Sequence, residues 1–189
     1  VTCSTTEMAK KIKELGRDAT VIPDPYEYPE MPPHCNGVNL LWYGHHVNRE
    51  SLQRILPDLK GYPFAVVSNF DGAIPWSHET MLEEFARADI VVIPATAPYK
   101  SANRAIEAIR QGCFVVAEPH PALEGFPIYI GNIKEGIEWT KQQNMNELVS
   151  KAQKFVTAEF SPQTLIDKWK TATKRPTTLD AEKRNGTVG

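Results

Sequence analysis

The chain has 189 residues and a formal net charge of −2, from 21 Lys and Arg against 23 Asp and Glu. This length suits one good-sized domain, or one domain plus part of another, and the charge argues against a nucleic-acid partner bound through a broad basic face. No apolar run approaches the length of a membrane span, and no signal peptide is apparent. Three widely spaced cysteines, Cys3, Cys35 and Cys113, indicate reduced thiols and a cytoplasmic protein.

The first predicted elements are a helix and a short strand, followed by a proline-rich segment. Ser4 and Glu7 are expected to form a capping box before a helix that Gly16 ends, and a strand is predicted at 20–22. Five prolines then fall between positions 23 and 33. Because proline lacks an amide donor and fixes its own φ, we predict an extended linker and a domain boundary here.

Strand-like and helix-like segments alternate after the linker. Strands are predicted at 38–43, 64–67, 90–93, 113–117 and 128–130, and helices at 49–59, 79–88, 102–111, 133–143, 147–160 and from Pro162 onward. Leu52, Ile55, Leu56 and Leu59 are expected to face inward. Continuous apolar strands are typical of a parallel sheet covered by helices on both faces. The predicted fold class is therefore α/β, a doubly wound, Rossmann-like parallel sheet, with ligands beyond the carboxyl ends of its strands.

A polar loop and a helix start follow the predicted strand at 90–93. The first amides of a helix and its dipole favour an anion. Lys100 can neutralise phosphate charge, and the amides near Ser101 and Ala102 can bind phosphate oxygens. A solvated loop lysine would fit the same pattern.

Two polar side chains on this helix favour a phosphorylated sugar nucleotide. Asn103 and Glu107 are four residues apart and so share one helix face. With a phosphate at the helix tip, Glu107 would accept hydrogen bonds from sugar hydroxyls. An ordinary surface pair between Glu107 and Arg110 is the alternative interpretation.

Further candidate residues follow the strand at 38–43. Gly44 permits a tight turn and close approach of a ligand, and His45 could contact phosphate or sugar. Arg49 is a weaker phosphate candidate at the next helix start, and solvated side chains are the alternative for both. The pairs His34–Cys35 and His45–His46 match no usual zinc spacing, so no metal site is expected.

Four segments in this order, 21–25, 42–44, 88–94 and 100–112, resemble GT-B glycosyltransferases. The likeness is greatest to the retaining group that uses nucleotide-sugar donors, and it covers roughly residues 1–170. It implies that residues 1–36 are the end of an amino-terminal acceptor domain with its linker, and that 37–160 form the donor-binding domain. Residues 161–174 would be a carboxy-terminal crossing helix, and the polar composition of 175–189 predicts a disordered tail.

The resemblance also implies roles for individual residues. Glu107 matches the second Glu of the family's Glu-x7-Glu motif, which holds the ribose hydroxyls, whereas Tyr99 stands in the place of the first Glu. Residues 100–103 occupy the loop that meets the diphosphate. His45 and Arg49 stand at or near the family's basic positions. The family typically needs no metal or other cofactor, since basic side chains and helix-tip amides stabilise the leaving diphosphate.

The leading hypothesis is the donor-binding portion of a glycosyltransferase, an enzyme that moves a sugar from a nucleotide-diphospho-sugar to a hydroxyl or glycan acceptor, with retention. The proposed catalytic residues are Lys100, Arg49 and His45, and the donor-binding residues are Gly44, Tyr99, Ser101, Ala102, Asn103 and Glu107. A lipid-linked acceptor would bring the full enzyme to a membrane surface. The alternative is a non-catalytic module that binds a nucleotide or sugar nucleotide, which the Tyr99 departure and the missing acceptor half favour. A flavodoxin-like domain is disfavoured because Asp71 and Asp89 are too scattered.

Overall fold

The computed structural model describes residues 1–173, so the predicted tail at 175–189 lies outside the described residues. The chain opens with a small parallel pair, β1 (Thr2–Cys3) and β2 (Thr20–Val21), joined by helix α1 (Thr6–Glu14). The expected capping by Ser4 is wrong. The N-cap is Thr5, whose hydroxyl accepts from the Met8 amide at 3.2 Å.

The remaining strands form one parallel sheet. They are β3 (Leu40–Tyr43), β4 (Phe64–Ser68), β5 (Ile74–Pro75), β6 (Ile90–Ile93), β7 (Phe114–Ala117) and β8 (Tyr129–Ile130). The helices are α2 (Arg49–Ile55), α3 (His78–Arg87), α4 (Asn103–Arg110), α5 (Ile133–Thr140), α6 (Met145–Phe160) and α7 (Pro162–Thr173). The spatial order is β5-β4-β3-β6-β7-β8, with every pairing parallel. The predicted α/β, doubly wound class is confirmed.

Helices cover both faces of the sheet. Alternate residues of each strand point to opposite faces. Leu41 and Tyr43 of β3 pack with α3, α4 and α6 on one face. Leu40 and Trp42 pack with α2 and α5 on the other. Both faces of β3 are therefore buried, which explains its unbroken apolar sequence.

The predicted helix at 49–59 changes geometry part-way. The α-helix ends at Ile55 and a 3₁₀ turn continues from Leu56 to Leu59. Leu59 is buried, but Leu56 is 42% exposed, so the inward placement predicted for Leu56 is wrong. A 3₁₀ turn has three residues per turn instead of 3.6, which rotates successive side chains away from the helical stripe.

The proline-rich segment lies against the sheet domain. The Met31 amide donates to the Arg110 carbonyl at 2.8 Å, and the Gln153 side chain donates to the Met31 carbonyl at 2.7 Å. Asp89 closes the end of the segment, accepting from the Asn36 amide at 2.7 Å and the Asn39 amide at 2.8 Å. These contacts fix the backbone of residues whose own sequence offers few amide donors.

Candidate active site

The strand order reverses at β3, and this places a crevice at the carboxyl ends of β3 and β6. From β3 the chain builds outward through β4 and β5, and α3 then returns it to β6 on the other side of β3. A reversal of this kind is the usual ligand position in doubly wound sheets. Gly44 and the loop after Ile93 both lie at the carboxyl-terminal edge of the sheet, as the sequence predicts.

Gly44 packs closely against the Trp42 ring at the end of β3. A Cβ on Gly44 would lie 3.1 Å from the Trp42 ring, and the Gly44 amide donates to the Val67 carbonyl at 3.1 Å. The carbonyl of Gly44 accepts from the Ser68 hydroxyl at 2.6 Å. The strand end is therefore held in place and offers no room for a larger residue.

The loop between β6 and α4 is anchored at several points. Glu118 accepts from the Ala95 amide at 2.7 Å and pairs with Arg54 through two bonds of 2.6 Å. His120 Nε2 lies 3.0 Å from the carbonyl oxygen of Ala97. None of these anchors was predicted from the sequence, since they follow β7 or lie on α2 and reach the loop only through the fold.

The loop ends at an uncapped helix start. Ala102 is the N-cap of α4 and has no side chain that could cap it. Within residues 1–173, the amides of 101–104 have no protein acceptor. Such amides together with the helix dipole favour an anion. Asn103 is engaged elsewhere, because its side-chain amide donates to Asp24 at 3.2 Å.

Two recesses flank this helix start. A cavity of 170 Å³ lies between the first residues of α1 and of α4, and its lining includes Thr5, Ser101 and Asn103. A wider groove of 840 Å³ runs between α2 and the loop, and Lys100 and Tyr99 line it. The Thr5 hydroxyl donates to the Tyr99 carbonyl at 3.2 Å, so the amino-terminal unit touches the loop directly.

Glu107 faces the carboxyl end of β3. Its carboxylate accepts from the Tyr43 hydroxyl at 2.9 Å, and the same hydroxyl lies 2.8 Å from the Arg104 carbonyl oxygen. Burial raises the pKa of Glu107, and the bond from Tyr43 partly opposes that shift. The side chain therefore lies at the predicted ligand edge, held in one orientation by a buried tyrosine.

The other candidate cations lie toward β4. Arg49 stacks over the Phe70 ring at 4.9 Å. His45 is exposed, and its Nδ1 accepts from the Val47 amide at 3.4 Å, which caps the 3₁₀ turn. Lys100 is exposed on the groove described above, whose lining does not include Arg49. Lys100, Ser101 and Ala102 thus border one recess, and Glu107 lies further along α4 at the end of β3. Arg49 and His45 make their contacts with Phe70 and Val47 instead.

Arg104 is a residue that the sequence analysis missed. It is half-buried on the first turn of α4, and its guanidinium lies 3.5 Å from the Tyr43 carbonyl oxygen. An arginine just inside a helix start is usually solvated, so its sequence position gave no signal. It lies four residues after Lys100 and one helical turn before Glu107.

Residues 1–173 contain neither a metal-ligand cluster nor a membrane-spanning helix. No cluster of three or more His, Cys, Asp or Glu side chains could hold a metal ion in this part of the chain. None of its helices combines the length and apolar character that crossing a bilayer requires.

The Glu118–Arg54 pair should make stability depend on pH. The hydrogen bond from Arg54 lowers the pKa of Glu118 below 4.5. A carboxyl group with a lowered pKa adds stability above its unfolded pKa and loses it as the pH falls through the folded value. We expect Glu118→Gln to lower the free energy of unfolding by about 1 kcal/mol at pH 7, with a smaller difference at pH 3.5. Urea denaturation at both pH values measures this, and a difference independent of pH would contradict it.

Comparison with solved structures shows the architecture to which the crevice belongs. TarM of S. aureus, in a crystal structure with fondaparinux, α-GlcNAc-glycerol and UDP, aligns with a TM-score of 0.69 and 16% identity over 90% of this chain. HepE of Anabaena, in complex with UDP and glucose, aligns with a TM-score of 0.66 and 13% identity over 91% of it. The chain has the Rossmann-like fold of one half of a GT-B glycosyltransferase.

A third GT-B structure, sucrose-phosphate synthase of Thermosynechococcus elongatus, aligns with a TM-score of 0.66 and 14% identity over 91% of this chain. The chain spans 43%, 62% and 57% of the lengths of the TarM, HepE and sucrose-phosphate synthase chains, respectively. No family model matches the sequence, and no match to a curated protein sequence was found. The likeness to GT-B enzymes is therefore one of fold.

Proposed function

We propose that this chain is the donor-binding portion of a glycosyltransferase that uses a nucleotide-diphospho-sugar. The observation that carries the proposal is the pairing, at the crevice of a GT-B-like fold, of the uncapped start of α4 with the Glu107 carboxylate. One offers donors to a diphosphate and the other accepts from ribose hydroxyls. The comparison structures that contain UDP or UDP-glucose support a ligand of this class.

The chemistry assigned to the site is electrostatic. When the bond between sugar and diphosphate breaks, negative charge develops on the leaving diphosphate. Lys100 and the amides of 101–104 would stabilise that charge without a metal. The acceptor is a hydroxyl group, as on a glycan, and we assign retention at the anomeric carbon from the sequence resemblance.

A non-catalytic binding module is the second candidate function. It is favoured by Tyr99, which stands in the place of the first Glu of the family motif and is 51% exposed. A tyrosine can stack on a sugar but cannot supply a carboxylate. This candidate predicts nucleotide binding with no transfer or hydrolysis of the donor.

A thermal-shift screen of the 189-residue chain against UDP, GDP, ADP and UDP-glucose tests the proposal. A nucleotide at about a hundredfold above its dissociation constant should stabilise the fold by about 2.7 kcal/mol. Uridine, guanosine and adenosine at equal concentration serve as controls and should stabilise it less. If no nucleotide raises the unfolding temperature, the proposal is wrong. Formation of UDP from UDP-glucose, measured in the presence of a hydroxyl acceptor, separates the enzyme from the binding module.

A further inference from the structure

Two arginines on α4 are withdrawn from solvent, and their surroundings differ. Arg110 is 7% exposed and fully engaged. Its guanidinium donates to Glu30 at 2.5 Å and twice to the Tyr28 carbonyl at 3.2 Å, and it lies 4.1 Å from the centre of the Tyr26 ring. This is how a buried cation is normally satisfied.

Arg104 has no such set of partners. It donates to the Tyr43 carbonyl at 3.5 Å, and within residues 1–173 no carboxylate lies within 4.0 Å of it. Glu107, one turn further on, takes its hydrogen bond from the Tyr43 hydroxyl instead. A guanidinium carries five N–H donors, so most of the donors of Arg104 are free for another acceptor.

The free nitrogens of Arg104 are accessible. In the described part of the chain, Trp42 Nε1 is the one buried side-chain nitrogen or oxygen without a partner, so no unbonded nitrogen of Arg104 is sealed in the core. Arg104 lines a small recess at the edge of the crevice, together with Lys100, Ser101 and His120. Burial lowers the pKa of Arg104, which reflects the loss of water around its charge.

We propose that Arg104 binds the diphosphate of the nucleotide donor. The proposal rests on the proposed function, which places a nucleotide at this crevice. The planar fork of a guanidinium matches two phosphate oxygens at once. Arg104 stands beside the open amides of 101–104 and one helical turn before Glu107, a rise of about 4.5 Å. That spacing lets one helix face hold the diphosphate and the adjoining ribose.

The other basic candidates are less suited to binding the diphosphate. Arg49 covers the Phe70 ring and His45 caps its own 3₁₀ turn. Lys100 is exposed, so water screens its charge more than that of the half-buried Arg104. Arg104 is thus the least hydrated cation that borders the recess.

Titration calorimetry on the 189-residue chain tests this role. The probes are UDP, GDP and ADP, each compared with its nucleoside, and the variants are Arg104→Gln, Arg104→Lys and Arg87→Gln. Arg87 is the matched control, because it also removes one positive charge but lies at the opposite edge of the sheet, beside the first residues of β3 and β4. We expect Arg104→Gln to weaken the binding of the nucleoside diphosphate by about ten- to a hundredfold and that of the nucleoside by less than about threefold. Arg104→Lys should fall between, and Arg87→Gln should bind like the wild type.

A second measurement separates binding from folding. Without nucleotide, Arg104→Gln should unfold at the same temperature as the wild type or higher, because it removes a partly desolvated charge that forms no ion pair within residues 1–173. A lower unfolding temperature, unchanged affinity for the diphosphates, or equal loss for diphosphates and nucleosides would overturn the role. If the wild type binds none of the three diphosphates, the proposed function itself fails, and this inference fails with it.

Discussion

Gly112→Ala is expected to lower the free energy of unfolding by about 3 kcal/mol. Gly112 ends α4 with φ +83°, a conformation that strains any residue with a Cβ. In addition, the new Cβ would meet the carbonyl oxygen of Pro32 and lie 2.8 Å from His34 Nδ1. The obstacle is the backbone of the proline-rich segment. Hydrogen bonds hold this backbone against α4, so it cannot move aside easily.

Gly16→Ala is the matched control for this prediction. Gly16 also follows a helix and has φ +73°, but nothing lies within 4 Å of its added Cβ. It should lose about 1 kcal/mol, the cost of the left-handed conformation alone. Urea denaturation of both variants gives the difference, which measures how firmly the proline-rich segment is docked. Equal losses of unfolding free energy in the two variants would show that the proline-rich segment moves aside at little cost.

The fold could be predicted because its signals are local. The four apolar residues of β6, Ile90–Ile93, match the predicted strand in full. The predictions were wrong where neighbouring residues or two kinds of helix fit the same sequence pattern. Ser4 and Thr5 are both able to cap α1, and Leu56 keeps the helical spacing although the chain has already tightened into a 3₁₀ turn.

The candidate site could be predicted less fully, because its geometry depends on contacts between distant residues. The spacing from Lys100 to Glu107 indicates a loop and a helix face, and the structure has both. It could not show that Tyr43, 64 residues earlier, orients Glu107. Nor could it show that Arg49 lies on Phe70, or that Arg104 forms no ion pair within residues 1–173, since the partners of an arginine are set by packing.

Glu107→Ala is expected to weaken the binding of the cognate nucleoside diphosphate by about ten- to a hundredfold, the loss of charged hydrogen bonds to ribose. The lost binding energy should come from the hydrogen bonds to the ribose hydroxyls. In the wild type, UDP should bind more tightly than 2′-deoxy-UDP if uridine is the cognate nucleoside, and Glu107→Ala should abolish that preference. Glu83→Ala is the control, since its carboxylate is exposed near the end of α3. Calorimetric titration with each pair of nucleotides measures both effects.

Protonation of Glu107 gives an independent check on the same role. Burial raises the pKa of Glu107 above 4.5. As the pH falls, Glu107 should therefore become protonated, and the affinity for the nucleotide should decline, at a higher pH than for a solvent-exposed glutamate. A raised pKa also means that the folded state prefers the protonated form, so this group's contribution to stability is lost as pH rises through the folded pKa. Glu107→Gln removes that penalty and keeps an acceptor for the Tyr43 hydroxyl. At pH 7 it should therefore unfold no more easily than the wild type while binding UDP more weakly, whereas a purely structural carboxylate would show wild-type affinity.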